Sequence, residues 1–350
     1  MAKRKLNRRQ QWRIQKIQQE RLDRARKKLS KLSDSLDHLD NTHYHGLVIS
    51  HFGATLDVEK RDNENNSSGE IIRCALRQNI ESIVCGDNVV WQKIKDLPPG
   101  EQIQGIVTAL EPRKNVLARP DFTGQMKPVA ANIDQILIVT SPIPELNESL
   151  IDRYLVAAEL SDINAVLVLN KIDILTDDQQ EQLSQRIEIY HNIGYPIIHT
   201  SAKARNGLDS LYQQLNNKSS VFVGQSGVGK SSLINALLPE ARIKEGEVSD
   251  ATNKGTHTTS VSRLYHLDNT QVQNAIIIDS PGVREFGLWD IDKNEVIHGF
   301  RELEEYAQSC RFRDCKHINE PGCNILQALE EGKISRQRYE SYHRIMDSFG

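Results

Sequence analysis

A glycine-rich segment in the second half of the chain has the residue types that bind a phosphate chain. It reads G-x4-G-K-S, follows the apolar run Val221–Val223 and precedes a segment with helical periodicity. In that setting glycines let backbone N–H groups face phosphate oxygens, a lysine reaches the β- and γ-phosphates, and a serine hydroxyl ligates Mg²⁺. We therefore predict a nucleoside triphosphate site in which Lys230 acts on the phosphates and Ser231 ligates magnesium. The predicted phosphate-binding residues are Gly224, Gln225, Ser226, Gly227, Val228, Gly229, Lys230, Ser231 and Ser232.

Two upstream segments indicate which base is read. The first lies after an apolar strand, and its Asp173 can accept hydrogen bonds from both N1–H and the amino group of guanine, a donor pair that adenine lacks. The second follows another strand and can offer backbone N–H groups to the guanine carbonyl. A four-residue match alone also fits a helix cap, but the two segments together favour a guanine nucleotide. The residues are Asn170, Lys171, Ile172 and Asp173 in the first segment, and Ser201, Ala202 and Lys203 in the second.

Downstream of the phosphate loop lie further candidates for the magnesium ion and the γ-phosphate. The hydroxyls of Thr258 and Thr259 are typical magnesium ligands or neighbours, with Thr259 our predicted ligand. Asp279 follows an apolar strand and can hold the water shell of the ion, while the amide of Gly282 can sense the γ-phosphate. A polar surface loop is the alternative for the threonines, and a strand-end turn is the alternative for Asp279 and Gly282.

A third constellation indicates a metal. Three cysteines and one histidine lie within fourteen residues, which is the ligand number and softness of a closed structural zinc site. Free buried cysteines are the alternative. Cys74 and Cys85 lie in β-like runs, so we expect packed thiols there. The predicted zinc ligands are Cys310, Cys315, His317 and Cys323.

The elements that must position these residues divide the chain into four parts. Residues 1–44 form a basic arm. Residues 45–125 read as short β-runs without helices, typical of a small β-barrel such as an OB-fold. Residues 126–290 alternate apolar strands with helical patterns, typical of an α/β P-loop domain. Residues 291–350 are polar and helical around the cysteines, which predicts a separate zinc-binding domain.

Composition excludes several classes of protein. Hydrophobic residues make up 38% of the chain and charged residues 26%, as in a globular protein with a polar surface. No apolar run approaches the roughly 18 residues that span a bilayer, and the N-terminus lacks the apolar core of a signal peptide. Five cysteines in 350 residues do not make a disulfide scaffold. We expect a cytoplasmic protein.

The charge distribution is strongly asymmetric. Residues 1–31 contain thirteen lysines and arginines and two acids, whereas the rest of the chain holds 31 basic and 45 acidic side chains, a net −14. A basic arm on an acidic body suits binding of a polyanion such as RNA, because each phosphate contact releases condensed counterions. A solvated tail is the alternative.

The order of the nucleotide motifs is unusual. Ordinary GTPases run from the phosphate loop through the switch threonine and DxxG to NKxD and SAK. Here NKID and TSAK precede GQSGVGKSS, GTHTT and DSPG, so we infer a circular permutation joined near 208–219. Together these motifs, the β-rich part and the cysteines resemble the circularly permuted ribosome small-subunit-dependent GTPase A family.

That resemblance covers nearly the whole chain. It implies an OB-fold, a permuted GTPase domain and a zinc domain, acting in late maturation of the small ribosomal subunit. The implied partners are the subunit, its rRNA and GTP or GDP, with hydrolysis stimulated by the subunit, and the chain is expected to be a monomer without membrane contact. The alternative is an RNA-binding adaptor that uses GTP mainly as a conformational ligand. An ATP-dependent kinase is disfavoured by Asp173.

The water-positioning residue is missing from its usual place. Ras-like enzymes carry a glutamine after DxxG, but Val283 stands there in this chain and cannot hydrogen-bond water. We predict slow intrinsic hydrolysis and assign the catalytic role to His257, beside the threonines. A solvent-exposed loop histidine is the alternative interpretation, and Arg284 is a further candidate.

Deleting residues 1–31 should weaken binding to ribosomal RNA and flatten its dependence on salt, because the arm supplies phosphate contacts. The measurement is RNA affinity at a series of salt concentrations. A chain whose arm carries glutamine in place of every Lys and Arg is the length-matched control and should behave like the deletion. An unchanged salt slope would contradict the polyanion interpretation.

Overall fold

The computed structural model describes residues 39–53, 55–62, 67–77, 80, 82–97, 100–120, 124–238, 262–279 and 292–349. They belong to two compact units. The first draws on Met1–Arg113 with Val261–Leu264, and the second on Lys114–Ser260 with Tyr265–Gly350. No helix among the described residues is long and apolar enough to cross a membrane.

The first unit contains a closed five-stranded barrel. Its strands lie in the order β1-β2-β3-β5-β4, and pairing of β4 with β1 closes the ring. The barrel interior is filled by apolar side chains such as Val58 and Trp91, together with the buried thiol of Cys74. This closure confirms the predicted β-barrel. The strands are β1 (Tyr44–His51), β2 (Thr55–Arg61), β3 (Ser67–Leu76), β4 (Asn88–Lys93) and β5 (Gly105–Leu110).

Cys74 and Cys85 are free buried thiols, as the sequence predicts. Burial raises the pKa of Cys85 to about 12 and also raises that of Cys74, so both remain protonated at neutral pH.

The second unit is built on a parallel sheet. Strands β10, β9, β8, β11 and β13 lie side by side in that order and are parallel, β12 lies next to β13, and β6 and β7 form a separate hairpin. The run Gln135–Thr140 is buried at every position, as expected for a strand covered on both faces. The strands are β6 (Val116–Pro120), β7 (Met126–Ala131), β8 (Gln135–Thr140), β9 (Asn164–Leu169), β10 (Ile197–His199), β11 (Ser219–Val223), β12 (Arg263–Leu267) and β13 (Ala275–Asp279). The first two residues of β12, Arg263 and Leu264, belong to the first unit.

Helices connect successive strands of this sheet and cover it. Leu211 and Leu233, on two of these helices, pack with Leu137, Phe222 and Ile277 in one core. Crossover helices between parallel strands make the α/β fold that the sequence predicts. The helices are α1 (Glu148–Leu160), α2 (Asp177–Asn192), α3 (Leu208–Leu215) and α4 (Lys230–Leu237), with a 3-10 helix at Ile172–Ile174.

The C-terminal residues form a small helical core. Phe300, Leu303, Ile325 and Ile345 are fully buried in it, and Val156 of helix α1 belongs to the same core. The boundary between residues 290 and 291 stays a prediction, but the contacts place the described residues on both sides of it in one compact unit. The elements are a 3-10 helix (Lys293–Gly299), α5 (Arg301–Ala307), α6 (Asn324–Glu330) and α7 (Arg336–Asp347).

Candidate functional site

Parallel strands bring the predicted nucleotide residues to one edge of the sheet. Asn170 follows β9, Ser201 follows β10, Gly224 follows β11 and Asp279 ends β13. Because these strands run in the same direction, their carboxyl ends meet at the same edge, where α/β sheets bind ligands. Segments that lie 23 to 109 residues apart in the sequence thus form one site.

The phosphate loop joins β11 to helix α4. Gly224 has φ +133°, and a side chain there would collide with the carbonyl oxygen of Val139 on the neighbouring strand. Gly229 has φ +97°, and a side chain there would collide with the amide of Asn170. The loop can therefore take this path only with glycine at these positions.

Lys230 is the first residue of α4, and its side chain folds back over the loop. Its ammonium donates to the carbonyl oxygens of Gly224, at 2.6 Å, and Gln225, at 2.8 Å. The side chain is buried, whereas Ser231 beside it is exposed. A positive charge surrounded by the loop and an accessible hydroxyl on the helix N-terminus are what binding of a phosphate chain with its cation requires.

Asn170 connects three strand ends. Its side-chain amide donates to the carbonyl oxygen of Val228 in the phosphate loop at 2.9 Å. Its side-chain oxygen accepts from the amide of Ala202 at 3.1 Å and from the hydroxyl of Thr200 at 3.4 Å. This buried side chain therefore ties the base-reading segments after β9 and β10 to the phosphate loop after β11.

Lys171 makes a second connection to the phosphate loop. Its ammonium donates to the carbonyl oxygens of Gly227 and Ile143, both at 2.6 Å. Ile143 belongs to the loop between β8 and α1, which the sequence interpretation missed, and the hydroxyl of Ser141 also donates to its carbonyl at 2.8 Å. The prolines on either side of Ile143, just past a buried strand, were the available signal for a rigid loop there.

Asp173 is exposed, and its carboxylate accepts one side-chain hydrogen bond. The hydroxyl of Ser201 donates to its carboxylate at 2.5 Å and accepts from the amide of Ala204 at 2.9 Å. The backbone amide of Ala202 donates to Asn170. Lys203 is exposed, whereas Ile172 is half-buried. The carboxylate is thus oriented by Ser201 and accessible to a base.

Among the candidates downstream of the phosphate loop, only Asp279 lies in the part of the chain that the structure describes. Asp279 is a half-buried residue at the end of β13, next to the strand that carries the phosphate loop. The segment with His257, Thr258 and Thr259, and Gly282 beyond Asp279, lie outside the described residues. Their roles stay predictions from the sequence.

The cysteine cluster is assembled as predicted. One ligand atom from each of Cys310, Cys315, His317 and Cys323 lies within 4.8 Å of all the others. Cys310 and Cys323 have their sulfurs 3.9 Å apart, and the Nδ1 atom of His317 lies 3.6 and 3.4 Å from them. A tetrahedral zinc ion with bonds of about 2.3 Å to sulfur and about 2.0 Å to nitrogen separates its ligands by about 3.8 and 3.5 Å. The side chains therefore fit such an ion.

Two further residues hydrogen-bond the backbone of the loop that carries Cys315 and His317. The carboxylate of Glu320 accepts from the amides of Lys316 and Ile318, both at 2.9 Å, and these backbone bonds lower its pKa to about 2. The hydroxyl of Tyr339 on α7 donates to the carbonyl of His317 at 2.6 Å. Burial lowers the pKa of His317, which favours the neutral imidazole that a metal needs.

The fold and the two linked loops define a P-loop GTPase with circularly permuted motifs. The sequence model of the RsgA GTPase family matches residues 110–289. The chain belongs to the RsgA GTPase family, whose members are GTP hydrolases, as the motifs predict.

Relatives align along the whole chain. The "small ribosomal subunit biogenesis GTPase RsgA" of Alcanivorax borkumensis is 46% identical over 352 residues, covering 99% of this chain and 96% of that protein. The protein of the same name from Ectopseudomonas mendocina is 48% identical over 349 residues, covering 99% and 98%.

Solved structures have the same architecture. YjeQ from Thermotoga maritima superposes with a TM-score of 0.66 at 32% identity, covering 88% of this chain and 98% of that one. YloQ, described as a circularly permuted GTPase, superposes with a TM-score of 0.65 at 30% identity, covering 88% and 95%. The predicted circular permutation is therefore confirmed.

Asp173→Asn should reduce affinity for GTP and raise affinity for xanthosine triphosphate. Asparagine presents an NH₂ group where guanine also has one, at a cost of about 1–3 kcal/mol for each buried group left unpaired, whereas xanthine has an oxygen there. Competition binding with the two nucleotides measures the preference. A variant that still prefers GTP would mean that Asp173 does not read the base.

Proposed function

We propose that this chain is a GTPase of small ribosomal subunit biogenesis, which binds the subunit through its rRNA and hydrolyses GTP faster when bound. The observation that carries the nucleotide part is the side chain of Asn170, which hydrogen-bonds both the phosphate loop and the segment after β10. The names of relatives that are nearly half identical over 99% of the chain support the ribosomal part.

The proposed roles at the phosphates follow from the chemistry of each residue. Lys230 neutralises the β- and γ-phosphates, and exchanges its present carbonyl partners for phosphate oxygens. Ser231 and Thr259 would hold Mg²⁺, with Asp279 binding its water shell. The ion would neutralise charge that develops between the β- and γ-phosphates. Gly282 would donate its amide to the γ-phosphate.

For water activation we retain His257 as the proposed positioning group. The position after DxxG is Val283, which has no hydrogen-bonding side chain, so a polar group must come from another segment or from the partner. The imidazole of His257 can accept a proton from water near neutral pH. The missing glutamine explains why stimulation by a bound partner is expected.

The base site is assigned to the two oriented segments. Asp173, held by Ser201, would accept from guanine, and the Lys171 stem would lie along the base. The amide of Ala202 donates to Asn170, so the guanine carbonyl would be met by the Lys203 amide or by Ala202 after a small shift. In either arrangement the carboxylate of Asp173 would determine the specificity for guanine.

The Cys/His cluster is proposed to hold one structural zinc ion. Three thiolates and one imidazole at tetrahedral separations occupy all four positions, so the ion would have no open position for catalysis. The Cys/His cluster residues would then serve folding of the C-terminal helices. We further propose that the protein acts in the cytoplasm as a monomer without membrane contact.

Purified small ribosomal subunits should increase GTP hydrolysis strongly, because the chain lacks the usual water-positioning glutamine and needs its partner. Phosphate release is measured with small subunits, with large subunits as control, and with Lys230→Ala as the inactive variant. His257→Ala should keep GTP binding and lose the stimulated rate. Tight binding to the subunit without stimulation would instead support an RNA-binding adaptor that uses GTP as a conformational ligand.

Cys323→Ser should reduce the zinc content from one ion per chain to far below one, because a closed site cannot lose a thiolate and keep its affinity. The residue is buried in the core of the C-terminal helices, so loss of the ion should also lower the thermal stability of these helices. Cys85→Ser, another buried thiol outside the cluster, is the matched control and should retain its zinc. Undiminished zinc in Cys323→Ser would count against the metal assignment.

A further inference from the structure

Helix α1 has two faces with different surroundings. Leu150, Ile151 and Tyr154 line a narrow cavity together with Gly224 and Gln225, where the phosphate loop begins. On the helix, positions 152, 156 and 159 have the spacing of a second face. Residues of the C-terminal helices contact that second face through two ion pairs and through apolar packing around Val156.

The first ion pair is fully buried. Arg338 of α7 donates to Asp152 at 2.6 Å and to Glu302 at 2.6 Å, and neither Arg338 nor Asp152 has any exposed side-chain surface. The guanidinium also lies over the ring of Phe300, at 4.3 Å from its centroid. Burial disfavours its charge, but the two carboxylates outweigh burial and raise the pKa of Arg338. Removing the guanidinium would strand a buried carboxylate on α1, which is strongly destabilising.

The second ion pair is partly exposed to solvent. Arg301 donates to Glu159 at 2.7 Å, but 40% of its side chain is exposed. Glu159 lies near the C-terminal end of α1, two helical turns beyond Asp152. Exposed pairs of this kind contribute little to stability. Arg301, on α5, contacts the same helix α1 and therefore offers a control.

A route of contacts leads from Asp152 to the phosphate loop. Helix α1 begins after Asn147, whose side chain accepts from the amide of Leu150 at 3.0 Å. The loop that precedes this cap contains Ile143, whose carbonyl oxygen accepts from Lys171. Lys171 donates at the same time to Gly227 of the phosphate loop. A displacement of α1 would therefore move the carbonyl of Ile143, one of the two acceptors that hold Lys171 against the phosphate loop.

A second side chain of helix α7 contacts the loop that carries the Cys/His cluster. Tyr339, the residue after Arg338, donates to the carbonyl of His317 in the metal-binding loop. Neighbouring residues on a helix project about 100° apart, so these two side chains can reach different partners. Helix α7 is thus held between the Cys/His cluster and helix α1.

We propose that Arg338 is a positioning residue for the nucleotide site, which holds α1 and the loop before it against the phosphate loop without touching the nucleotide. The inference rests on the proposed function, because it concerns the affinity of the same site for GTP. It assigns the C-terminal helices a role in nucleotide retention in addition to any role in partner binding.

The test measures binding and dissociation of a fluorescent GDP analogue by the full-length, zinc-loaded chain, well below the unfolding temperature of each variant. Arg338→Met should weaken affinity about tenfold, within the usual range of coupling between separate sites, chiefly through faster dissociation. Arg301→Met, the matched control, should stay within about twofold of the wild type. Zinc content should be unchanged in both, because the ligands are intact.

A double-variant cycle separates this route from general destabilisation. Asp152→Asn and Arg338→Met should weaken affinity to a similar degree, and the double variant should be little worse than the worse single one, since both remove one contact. If Arg338→Met does not fold, Arg338→Lys and Asp152→Asn take its place. Lysine keeps the charge but cannot bridge both carboxylates, so a smaller loss is expected.

Two results would overturn the inference. One is wild-type affinity and dissociation in folded Arg338→Lys and Asp152→Asn. The other is a loss in Arg301→Met as large as in the Arg338 variants. A wild-type chain that binds neither GTP nor GDP would instead overturn the proposed function, and this binding is measured first.

Discussion

The nucleotide site depends above all on one buried amide, the side chain of Asn170. Its NH₂ group and its oxygen reach the phosphate loop and the segment after β10, so three strand ends are fixed by one side chain. Gly229 is required beside it, because any larger residue would collide with this amide. A buried amide left without its partners would be costly, so the loops are stable only in their joint arrangement.

Much of this arrangement is readable in the sequence, because the residues involved act through local patterns. The glycines and Lys230 lie between an apolar strand and a helix, Asp173 and Ser201 follow other strands, and parallel pairing then brings them to one edge. The cysteine cluster is equally local, with four ligands in fourteen residues. In each case the residue types and their spacing along the chain indicate the chemistry. The circular permutation changes only the order of the nucleotide motifs.

The parts that could not be predicted are contacts between distant polar residues. Asp152 and Arg338 are 186 positions apart, and in the sequence each reads as one charged residue on an ordinary surface helix. Each of the two charges can be completely buried only because it is paired with the other, since an unpaired charge would stay in water. The sequence therefore predicts a separate C-terminal module, whereas the structure packs the C-terminal helices against α1. The role of the Ile143 carbonyl is hidden for a similar reason, because a backbone acceptor has no residue signature.

The strand order of the sheet has a consequence for synthesis of the chain. Strands β8, β9 and β10 emerge first and can pair in sequence, but β11 takes its place between β8 and β13, and β8 and β11 are separated by 78 residues. The base-reading segments thus leave the ribosome before the phosphate loop, and the strand that flanks the loop on its other side comes last. Pairing over such distances closes late in folding. The proposed nucleotide site is therefore incomplete until β13, which ends at Asp279, has been translated and can pair with β11.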